Sequence, residues 1–341
     1  MPHYIYVSIS EEDRIALFSM DAETGALDPV DSFEAEGRPA PLAINPQRSL
    51  LYVGRRGALQ VSSYRIDQGS GRLSLIGSAA LDADPSYLAT DRKGRFLLSA
   101  SYSAGKVDVH RIGENGAIIT PPVESRDTAP GAHAMQTDPS NRFAFVPHIA
   151  GANGPNRIYQ FKFDENTGRL TPNSTPQVIP EEEAGPRHFC FHPSRDMLYF
   201  SNEQDCSVTA YDFDSTAGTL TALQTVSTLP EGYEGENSCA QIQISPSGRF
   251  LYAPNRGHDS IACFTVDPAT GLLTSIGQAP SEAVPRAFSI DPTGNFLYAA
   301  GLESGRLASY RIDGDTGELE PLEVYDVGEG PMWVLTTTLE G

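Results

Sequence analysis

The sequence predicts an all-β fold, a seven-bladed β-propeller of four-stranded antiparallel blades, and three observations support that prediction. A turn phrase rich in aspartate and glycine recurs along the chain. A second phrase with an apolar hairpin pattern alternates with it, and no window places apolar residues at the i, i+3, i+4 spacing of a helix. The glycines of the turn phrase are Gly25, Gly71, Gly116, Gly168, Gly218, Gly271 and Gly317. Units of about 40–50 residues that each hold four strands are typical of propeller blades.

The first two strands of each blade are predicted from the hairpin phrase, for example PRAFSIDPTGNFLYAA at positions 285–300. Two apolar runs in this phrase flank the turn Asp291-Pro292-Thr293-Gly294. Proline fixes φ in such a turn and glycine supplies the position with positive φ. The phrase therefore predicts a β-hairpin.

The third and fourth strands follow the hairpin. Residues Ile158–Phe163 (IYQFKF) show the period of two that is typical of a strand. The turn phrase comes next, here DENTGRL at positions 164–170, and it leads into a fourth strand. The same order in every unit predicts four antiparallel strands per blade.

The two ends of the chain predict how the ring closes. The segment Gly330–Thr336 has the pattern of a first strand and no second strand follows it, whereas Tyr4–Ser8 matches the second strand of the other units. We therefore expect the N-terminal strands to complete the last blade, with the C-terminal strand innermost. Such closure removes the exposed sheet edges that favour aggregation. The unbroken repeat predicts a single β-propeller domain over residues 1–341.

Composition limits the partners of this chain. Its formal net charge is −20 and its sequence pI is about 4.6. Binding to nucleic acid needs clustered basic residues, so we expect neither a nucleic-acid partner nor an anionic membrane partner. No window reaches the length of a membrane span and the N-terminus lacks a signal-peptide pattern. A cytoplasmic protein is expected.

The four cysteines, Cys190, Cys206, Cys239 and Cys263, form no Cys-x-x-Cys pair. Their spacing indicates neither a zinc site nor a disulfide framework. Nucleotide-binding and zinc-protease motifs are likewise missing from the sequence. We expect no metal and no cofactor.

Propeller geometry predicts where a site would lie. The segment entering the first strand of a blade and the loop leaving its second strand open on the same face of the ring, around the central channel. Residues of the entering segments are Arg38, Tyr87, His133, Arg187, His188, Asn237, Arg286, Met332 and Trp333. Residues of the leaving loops are Arg55, Arg56, Tyr102, His148, Asn202, Glu203, Asn255, Arg256 and Glu303. Polar groups that converge on a channel mouth are typical of a small-molecule site.

Each candidate also has a structural interpretation. Arg187 is followed by His188, which makes the pair peculiar to one blade, but a structural ion pair with Glu203 would also account for the arginine. His148 has the right chemistry for proton transfer, because free imidazole titrates near neutrality, and it could equally be a polar rim residue. Trp333 could pack in the channel or stack on a sugar ring.

Three segments carry a resemblance to a known family. They are GPRHFCFHP (185–193), YFSNEQDCSVTAY (199–211) and GRFLYAPNRGHDSIACF (248–264). The chain resembles the seven-bladed propeller lactonases, which include propeller-type bacterial 6-phosphogluconolactonases and fungal carboxy-cis,cis-muconate cyclases. The resemblance implies an active site with a histidine, two arginines and a glutamate. The matching positions are Arg187, Glu203 and Arg256, with His148 at the equivalent strand end of the preceding blade.

The predicted activity is hydrolysis of a sugar-acid lactone, a carboxylic ester hydrolase reaction without a metal. Glu203 or His148 would activate water, while Arg187 and Arg256 hold an anionic group and the oxyanion. Seven further residues are expected to bind substrate: His133, His188, Asn202, Asn237, Asn255, Arg286 and Trp333.

Two other functions stay open at this point. A muconate-type cycloisomerase would use the same acid and base to move a proton to or from carbon. A non-catalytic propeller would bind a protein or a sugar ligand, since fold alone does not assign function. The sequence specifies neither the lactone, its ring size and phosphorylation, nor the oligomeric state.

Overall fold

A computed structural model confirms the seven-bladed propeller. It describes residues 1–151, 153–180 and 183–340, and within these ranges seven antiparallel sheets surround a central channel. The helical content of the described residues is one 3-10 turn at Ser10–Glu12. No helix in these ranges is long and apolar enough to span a membrane.

The strands are numbered in chain order. They are β1 His3–Ile9, β2 Arg14–Met20, β3 Leu27–Glu34, β4 Pro39–Ile44, β5 Leu50–Arg55, β6 Gln60–Ile66, β7 Leu73–Ala80, β8 Tyr87–Thr90, β9 Phe96–Ser101, β10 Lys106–Ile112, β11 Ile118–Asp127, β12 Gln136–Thr137, β13 Phe143–His148, β14 Arg157–Phe163 and β15 Leu170–Val178. The remainder are β16 Pro186–Phe191, β17 Met197–Asn202, β18 Ser207–Asp214, β19 Thr219–Ser227, β20 Ser238–Cys239, β21 Gln243–Ile244, β22 Phe250–Arg256, β23 Ser260–Val266, β24 Leu273–Pro280, β25 Pro285–Ile290, β26 Phe296–Gly301, β27 Arg306–Ile312, β28 Leu319–Asp326 and β29 Pro331–Thr338.

Consecutive strands build the blades. Blade 1 is β4–β7, blade 2 is β8–β11, blade 3 is β12–β15 and blade 4 is β16–β19. Blade 5 is β20–β24, because its innermost strand is split into β20 and β21, which both pair with β22. Blade 6 is β25–β28, and blade 7 joins β29 to β1, β2 and β3.

Blade 7 closes the ring as expected from the two chain ends. Strand β29 is innermost and pairs antiparallel with β1, from His3↔Thr338 to Ser8↔Trp333. The 3-10 turn adds a further tie, since Ser10 N donates to Gly330 O at 3.0 Å. The first and last repeats are thus joined by strand pairing within one sheet.

The two repeated phrases of the sequence meet at the interfaces between blades. Tyr298 in the second strand of blade 6 donates its hydroxyl hydrogen bond to Gly25 O, in the turn phrase of blade 7, at 2.8 Å. Equivalent bonds from a tyrosine to the turn glycine of the next blade are Tyr6–Gly71, Tyr52–Gly116, Tyr199–Gly271 and Tyr252–Gly317. The turn itself is held by its aspartate, because Asp21 Oδ1 accepts from the backbone N–H of Glu23 and Thr24.

Replacing Gly25 with alanine should destabilise the fold by about 3 kcal/mol. Gly25 has φ +78°, and a Cβ there would lie 2.4 Å from Phe296 Cδ1, so left-handed strain adds to overpacking. Gly314, in the equivalent turn of blade 6, has nothing within 4 Å of a built Cβ. Urea unfolding should place Gly314→Ala within about 0.5 kcal/mol of wild type. Equal losses in both variants would contradict this account of the repeat.

Candidate active site at the channel mouth

Strand register determines which side chains reach the mouth. The first residue of an innermost strand pairs with the last residue of the second strand, as in Pro186↔Asn202 and Pro285↔Gly301. The residue that follows this first paired residue faces the channel. In six blades, residues at this position line one small cavity of about 10 Å³. They are Ala40, Ser86, His133, Arg187, Arg286 and Met332.

A second set of side chains comes from the position one residue beyond those strand ends. These residues are Arg56, Tyr102 and Glu203, from blades 1, 2 and 4. Arg256 of blade 5 is the last residue of β22 and corresponds to Glu203, because Asn255 precedes it as Asn202 precedes Glu203. In blades 4 and 1, backbone hydrogen bonds tie the leaving loop to the segment that enters the same blade: Glu203 N donates to Gly185 O at 2.7 Å, and Arg56 N donates to Arg38 O at 3.1 Å. Charged side chains from several blades are thereby fixed around one opening.

Glu203 lies at the centre of this cluster. Its Oε2 accepts a hydrogen bond from Arg187 Nε at 2.6 Å and lies 3.1 Å from Arg256 Nη2 and 4.0 Å from His133 Nε2. Its Oε1 accepts no hydrogen bond from any other described residue, and the side chain is 16% exposed. One carboxylate oxygen is therefore anchored while the other is open to the mouth.

Burial and charge act in opposite directions on Glu203. Burial raises the pKa of its carboxyl group, but Arg187, Arg256 and Arg286 together outweigh that effect and leave the pKa below its ordinary value. The group is therefore ionised at neutral pH. Burial, with Arg256 nearby, lowers the pKa of Arg187; the guanidinium keeps its proton because its pKa starts far above neutrality and Glu203 stabilises its charge.

Two donors of the cluster have no partner. Arg187 is 1% exposed, yet its Nη1 makes no hydrogen bond with a described residue. Arg286 makes no hydrogen bond or ion pair with any described residue. Burial, together with Arg256 and Arg56, lowers the pKa of Arg286 to about 10, so it stays charged at neutral pH. A buried guanidinium N–H without a hydrogen-bond partner raises the free energy of the folded state, unless an anion or a carbonyl oxygen accepts from it.

Two histidines lie beneath the arginines. His133 Nδ1 and His188 Nε2 are 3.2 Å apart, so one ring donates to the other. Burial, followed by the nearby Arg187, lowers the pKa of both well below the ordinary value, which keeps them neutral. Trp333 and Tyr87 pack edge to face below them at 5.7 Å between ring centroids. Trp333 therefore forms part of the channel filling under the mouth.

The structure does not bring His148 to this cluster. Its side chain is fully buried, with Nε2 2.9 Å from Thr128 Oγ1, Nδ1 3.1 Å from Val146 O, and the ring packed on Tyr159 at 4.7 Å. His148 is the last residue of β13 and so corresponds to Asn202, not to Glu203, which is one residue further on. Because side chains alternate along a strand, this offset turns His148 away from the mouth.

The burial of His148 predicts a loss of stability in acid. Burial lowers the pKa of His148 to about 4 from 6.5, so between these values the unfolded chain binds a proton that the folded protein excludes. Stability therefore falls as pH falls through 6.5. From pH 7 to pH 5, wild type should lose about 2 kcal/mol more than His148→Gln. Urea unfolding of both proteins at the two pH values measures this, and equal losses would contradict a neutral buried imidazole.

The predicted asparagines lie behind the mouth and bond to the protein. Asn202 Nδ2 donates to Ser207 Oγ and Thr209 Oγ1, both at 2.8 Å. Asn237 Nδ2 donates to Asn255 Oδ1 at 3.0 Å, and Asn237 Oδ1 accepts from a backbone N–H. Asn255 is also fully buried. These contacts support the loops that carry Glu203 and Arg256. The three amide side chains therefore do not face the mouth.

Two residues that the sequence placed around the mouth, Arg56 and Tyr102, were not among the predicted catalytic or substrate-binding residues. Arg56 Nη2 pairs with Asp84 Oδ2 at 2.7 Å. Tyr102 lies edge to face with His133, 5.6 Å between ring centroids, and burial followed by the charge of Glu203 raises the pKa of its hydroxyl. The signal that identifies both is their position, directly after the end of the second strand, which they share with Glu203.

Two larger cavities flank the cluster. A recess of about 250 Å³ opens at the mouth and is lined by Ser10, Arg38, Arg56, Gly57, Asp84 and Met332. A cavity of about 650 Å³ occupies the opposite end of the channel, where its lining includes Asn45, Arg92, Gln136, Phe191, Gln243 and Trp333. In the described part of the chain, no group of three or more His, Cys, Asp or Glu side chains is arranged to hold a metal ion.

Comparison with known proteins gives consistent matches over nearly the whole chain. A family described as "Lactonase, 7-bladed beta-propeller" matches residues 4–336. A 6-phosphogluconolactonase of Pectobacterium carotovorum subsp. carotovorum is 38% identical over 340 residues, which is 100% of both chains. A 6-phosphogluconolactonase of Serratia proteamaculans is 36% identical over 334 residues, 98% of each chain.

A solved structure gives the same result. The periplasmic gluconolactonase of Pseudomonas aeruginosa superposes with a TM-score of 0.91 at 25% sequence identity. The superposition covers 99% of this chain and 100% of that one. The similarity thus extends over nearly the whole chain.

Proposed function

This chain belongs to the seven-bladed β-propeller lactonase family, and on that premise we propose that it hydrolyses an anionic sugar-acid lactone at the channel mouth. The observation that carries the proposal is a carboxylate oxygen that accepts no hydrogen bond beside a guanidinium nitrogen that donates none. Glu203 Oε1 and Arg187 Nη1 both have no hydrogen-bond partner among the residues that the structure describes, although the two side chains are bonded to each other at 2.6 Å. A base and an oxyanion donor are what ester hydrolysis needs.

The reaction assigns a role to each group. Glu203 Oε1 takes a proton from water as the water oxygen attacks the carbonyl carbon of the lactone. The electrons of the carbonyl double bond move to its oxygen, where Arg187 Nη1 donates to the developing negative charge. The oxyanion then re-forms the carbonyl double bond as the ring C–O bond breaks, and the electron pair of that bond leaves with the alkoxide oxygen, which accepts the proton held by Glu203. The product is an open-chain hydroxy acid.

Arg256 and His133 hold this arrangement in place. Arg256 Nη2 lies 3.1 Å from Glu203 Oε2 and donates to Cys239 O at 2.6 Å, which links the carboxylate to the loop of the next blade. His133 stays neutral and lies 4.0 Å from the same oxygen. Fixing Oε2 in this way leaves the other oxygen oriented toward the mouth, and orientation of this kind lowers the entropic part of the barrier.

The names of the relatives support hydrolysis over the other two functions. The Pectobacterium and Serratia relatives are 6-phosphogluconolactonases and the Pseudomonas structure is a gluconolactonase. The convergent arginines at the mouth also differ from the plain surface expected of a protein-binding platform. A cytoplasmic location and a single domain over residues 1–341 stay predictions.

A pH-indicator assay tests the proposal. The rate of acid release from glucono-δ-lactone and from its 6-phosphate is measured with and without protein, and the spontaneous rate is subtracted. We expect acceleration of at least one of the two lactones. No acceleration of either would overturn the proposed function. Solvent deuterium at carbon in the product would instead indicate a cycloisomerase.

A further inference from the structure

Two cysteines lie together behind the reactive cluster, where blade 4 meets blade 5. Cys206 ends the turn that begins at Glu203, and Cys239 is the last residue of β20. Both are free thiols, and each is within hydrogen-bonding reach of the other. Cys239 is fully buried, whereas Cys206 is 7% exposed, which gives a small oxidant access to its sulfur. Neither thiol has a role in the proposed hydrolysis.

The surrounding side chains hold the two cysteines side by side. Thr228 Oγ1 lies 2.7 Å from Cys206 O and 3.1 Å from Cys239 Sγ, so one buried hydroxyl contacts both residues. Asn237 Nδ2 donates to Cys206 Sγ at 3.2 Å and to Asn255 Oδ1 at 3.0 Å. That amide oxygen lies 3.7 Å from Cys239 Sγ. The thiol pair is therefore a fixed part of the contact between the two blades.

The two thiols differ in acidity. A hydrogen bond from the Cys239 thiol lowers the pKa of Cys206 and outweighs the effect of burial, and a bond from Asn237 lowers it further. Burial raises the pKa of Cys239, which keeps its proton. Because the thiolate is the reactive form of cysteine, an oxidant reacts first with Cys206. The protonated Cys239 beside it then supplies the second sulfur of a disulfide.

We propose that Cys206 and Cys239 form a reversible disulfide on exposure to a peroxide, and that this bond lowers turnover at the mouth. The Cys206 sulfur attacks one oxygen of hydrogen peroxide, the O–O bond breaks, and its electron pair leaves on hydroxide. Hydroxide takes the proton of Cys239, whose sulfur attacks the resulting sulfenic acid and expels its hydroxyl group. Counted from two neutral thiols, one peroxide is reduced to two waters as the S–S bond forms. A dithiol reductant reverses the reaction by thiol–disulfide exchange.

Cys239 links the thiol pair to both sides of the reactive cluster. Its backbone N–H donates to Glu203 O at 3.2 Å, and its carbonyl oxygen accepts from Arg256 Nη2 at 2.6 Å. Replacing a contact between thiols with a covalent bond pulls the turn of blade 4 against the first strand of blade 5. Small displacements of groups that orient a base reduce the rate strongly. The effect on turnover rests on the proposed function, whereas formation of the disulfide does not.

Mass spectrometry of the intact protein tests the disulfide without turnover. After exposure to hydrogen peroxide, wild type should lose two hydrogen atoms in mass and two of its four thiols, and peptide mapping should join Cys206 to Cys239. Cys263→Ser removes a buried cysteine whose thiol donates to Ile261 O in its own strand. As the matched control it should form the same bond, whereas Cys206→Ser should form none. Retention of all four thiols, or oxidation of Cys206 without a bond to Cys239, would overturn the proposal.

Turnover of the lactone that wild type opens tests the second part of the proposal. Peroxide should lower kcat/KM of wild type and of Cys263→Ser about 10-fold, and dithiothreitol should restore it. Cys206→Ser should start within about 3-fold of wild type and should not respond to peroxide. An unchanged rate in the disulfide form, or an equal loss in Cys206→Ser, would contradict the link to the mouth. If untreated protein opens no lactone, the proposed function and the effect on turnover fail together, and the mass measurement alone decides the disulfide.

Discussion

Replacing Glu203 with glutamine should lower kcat/KM for lactone opening by about 10³-fold, because general-base catalysis contributes on the order of 10²–10⁴. The amide keeps the size of the side chain but cannot take a proton from water. It also removes the negative charge that lies 2.6 Å from Arg187 and 3.1 Å from Arg256. The pH-indicator assay, corrected for spontaneous opening, measures the change.

The matched control is Glu303→Gln, which removes an exposed carboxylate from a neighbouring loop of the mouth. It should stay within about 3-fold of wild type, as most surface substitutions are close to neutral. The pH profile adds a readout specific to Glu203. Because the arginines hold the pKa of this carboxyl group below its ordinary value, kcat/KM should stay constant from neutral into mildly acidic pH. Glu203→Gln activity above a third of wild type would remove Glu203 from the mechanism.

Replacing Arg187 with alanine should lower kcat/KM by at least about 10²-fold, the loss seen when one oxyanion donor is removed. The variant loses the unpartnered Nη1 and also frees Glu203 from its bond at 2.6 Å. Arg187→Lys should recover little activity, since a single ammonium group cannot bond Glu203 and the carbonyl oxygen with the geometry of a guanidinium.

Stability must be measured with this variant, because Arg187 is 1% exposed. A urea unfolding curve shows whether the folded protein is present under assay conditions. If folded Arg187→Ala turns over at the wild-type rate, the arginine is a structural ion-pair partner and the oxyanion role is wrong. A folded variant with the expected loss excludes that structural interpretation.

The propeller could be predicted from sequence because its elements depend on local chemistry. The turn phrase contains its own aspartate acceptor and its own glycine with positive φ, as Asp21 and Gly25 show. The ring closure followed from which strand each end lacked. The contact between the two phrases could not be predicted in this way. The hydrogen bond from Tyr298 to Gly25 crosses a blade interface and joins residues 273 positions apart, so no local sequence pattern indicates it.

The site was predicted in part for the same reason. The positions of Arg187, Glu203 and Arg256 relative to the blade strands predicted that they lie at one mouth. In the structure Glu203 contacts both arginines. His148 was misplaced by a single residue, and in a strand one residue reverses the direction of the side chain. A comparison of strand ends would have shown that Ile149, not His148, corresponds to Glu203.

The pairing of Arg56 and the lack of a partner at Arg286 could not be predicted. Arg56 and Arg286 are similar in sequence context to other arginines of the chain, yet Asp84 holds the first and nothing in the described residues holds the second. Whether a charge is compensated depends on side chains from other blades. The lack of a partner for Arg286 among the described residues is therefore a property of the folded ring alone.

A crystal structure with bound 6-phosphogluconate tests the central claim, that the chemistry occurs at the mouth, most directly. The claim predicts the carboxyl end of the ligand at the mouth, beside Glu203 and Arg187. Ligand found instead in the cavity of about 650 Å³ at the opposite end of the channel, with the mouth free of it, would contradict the claim.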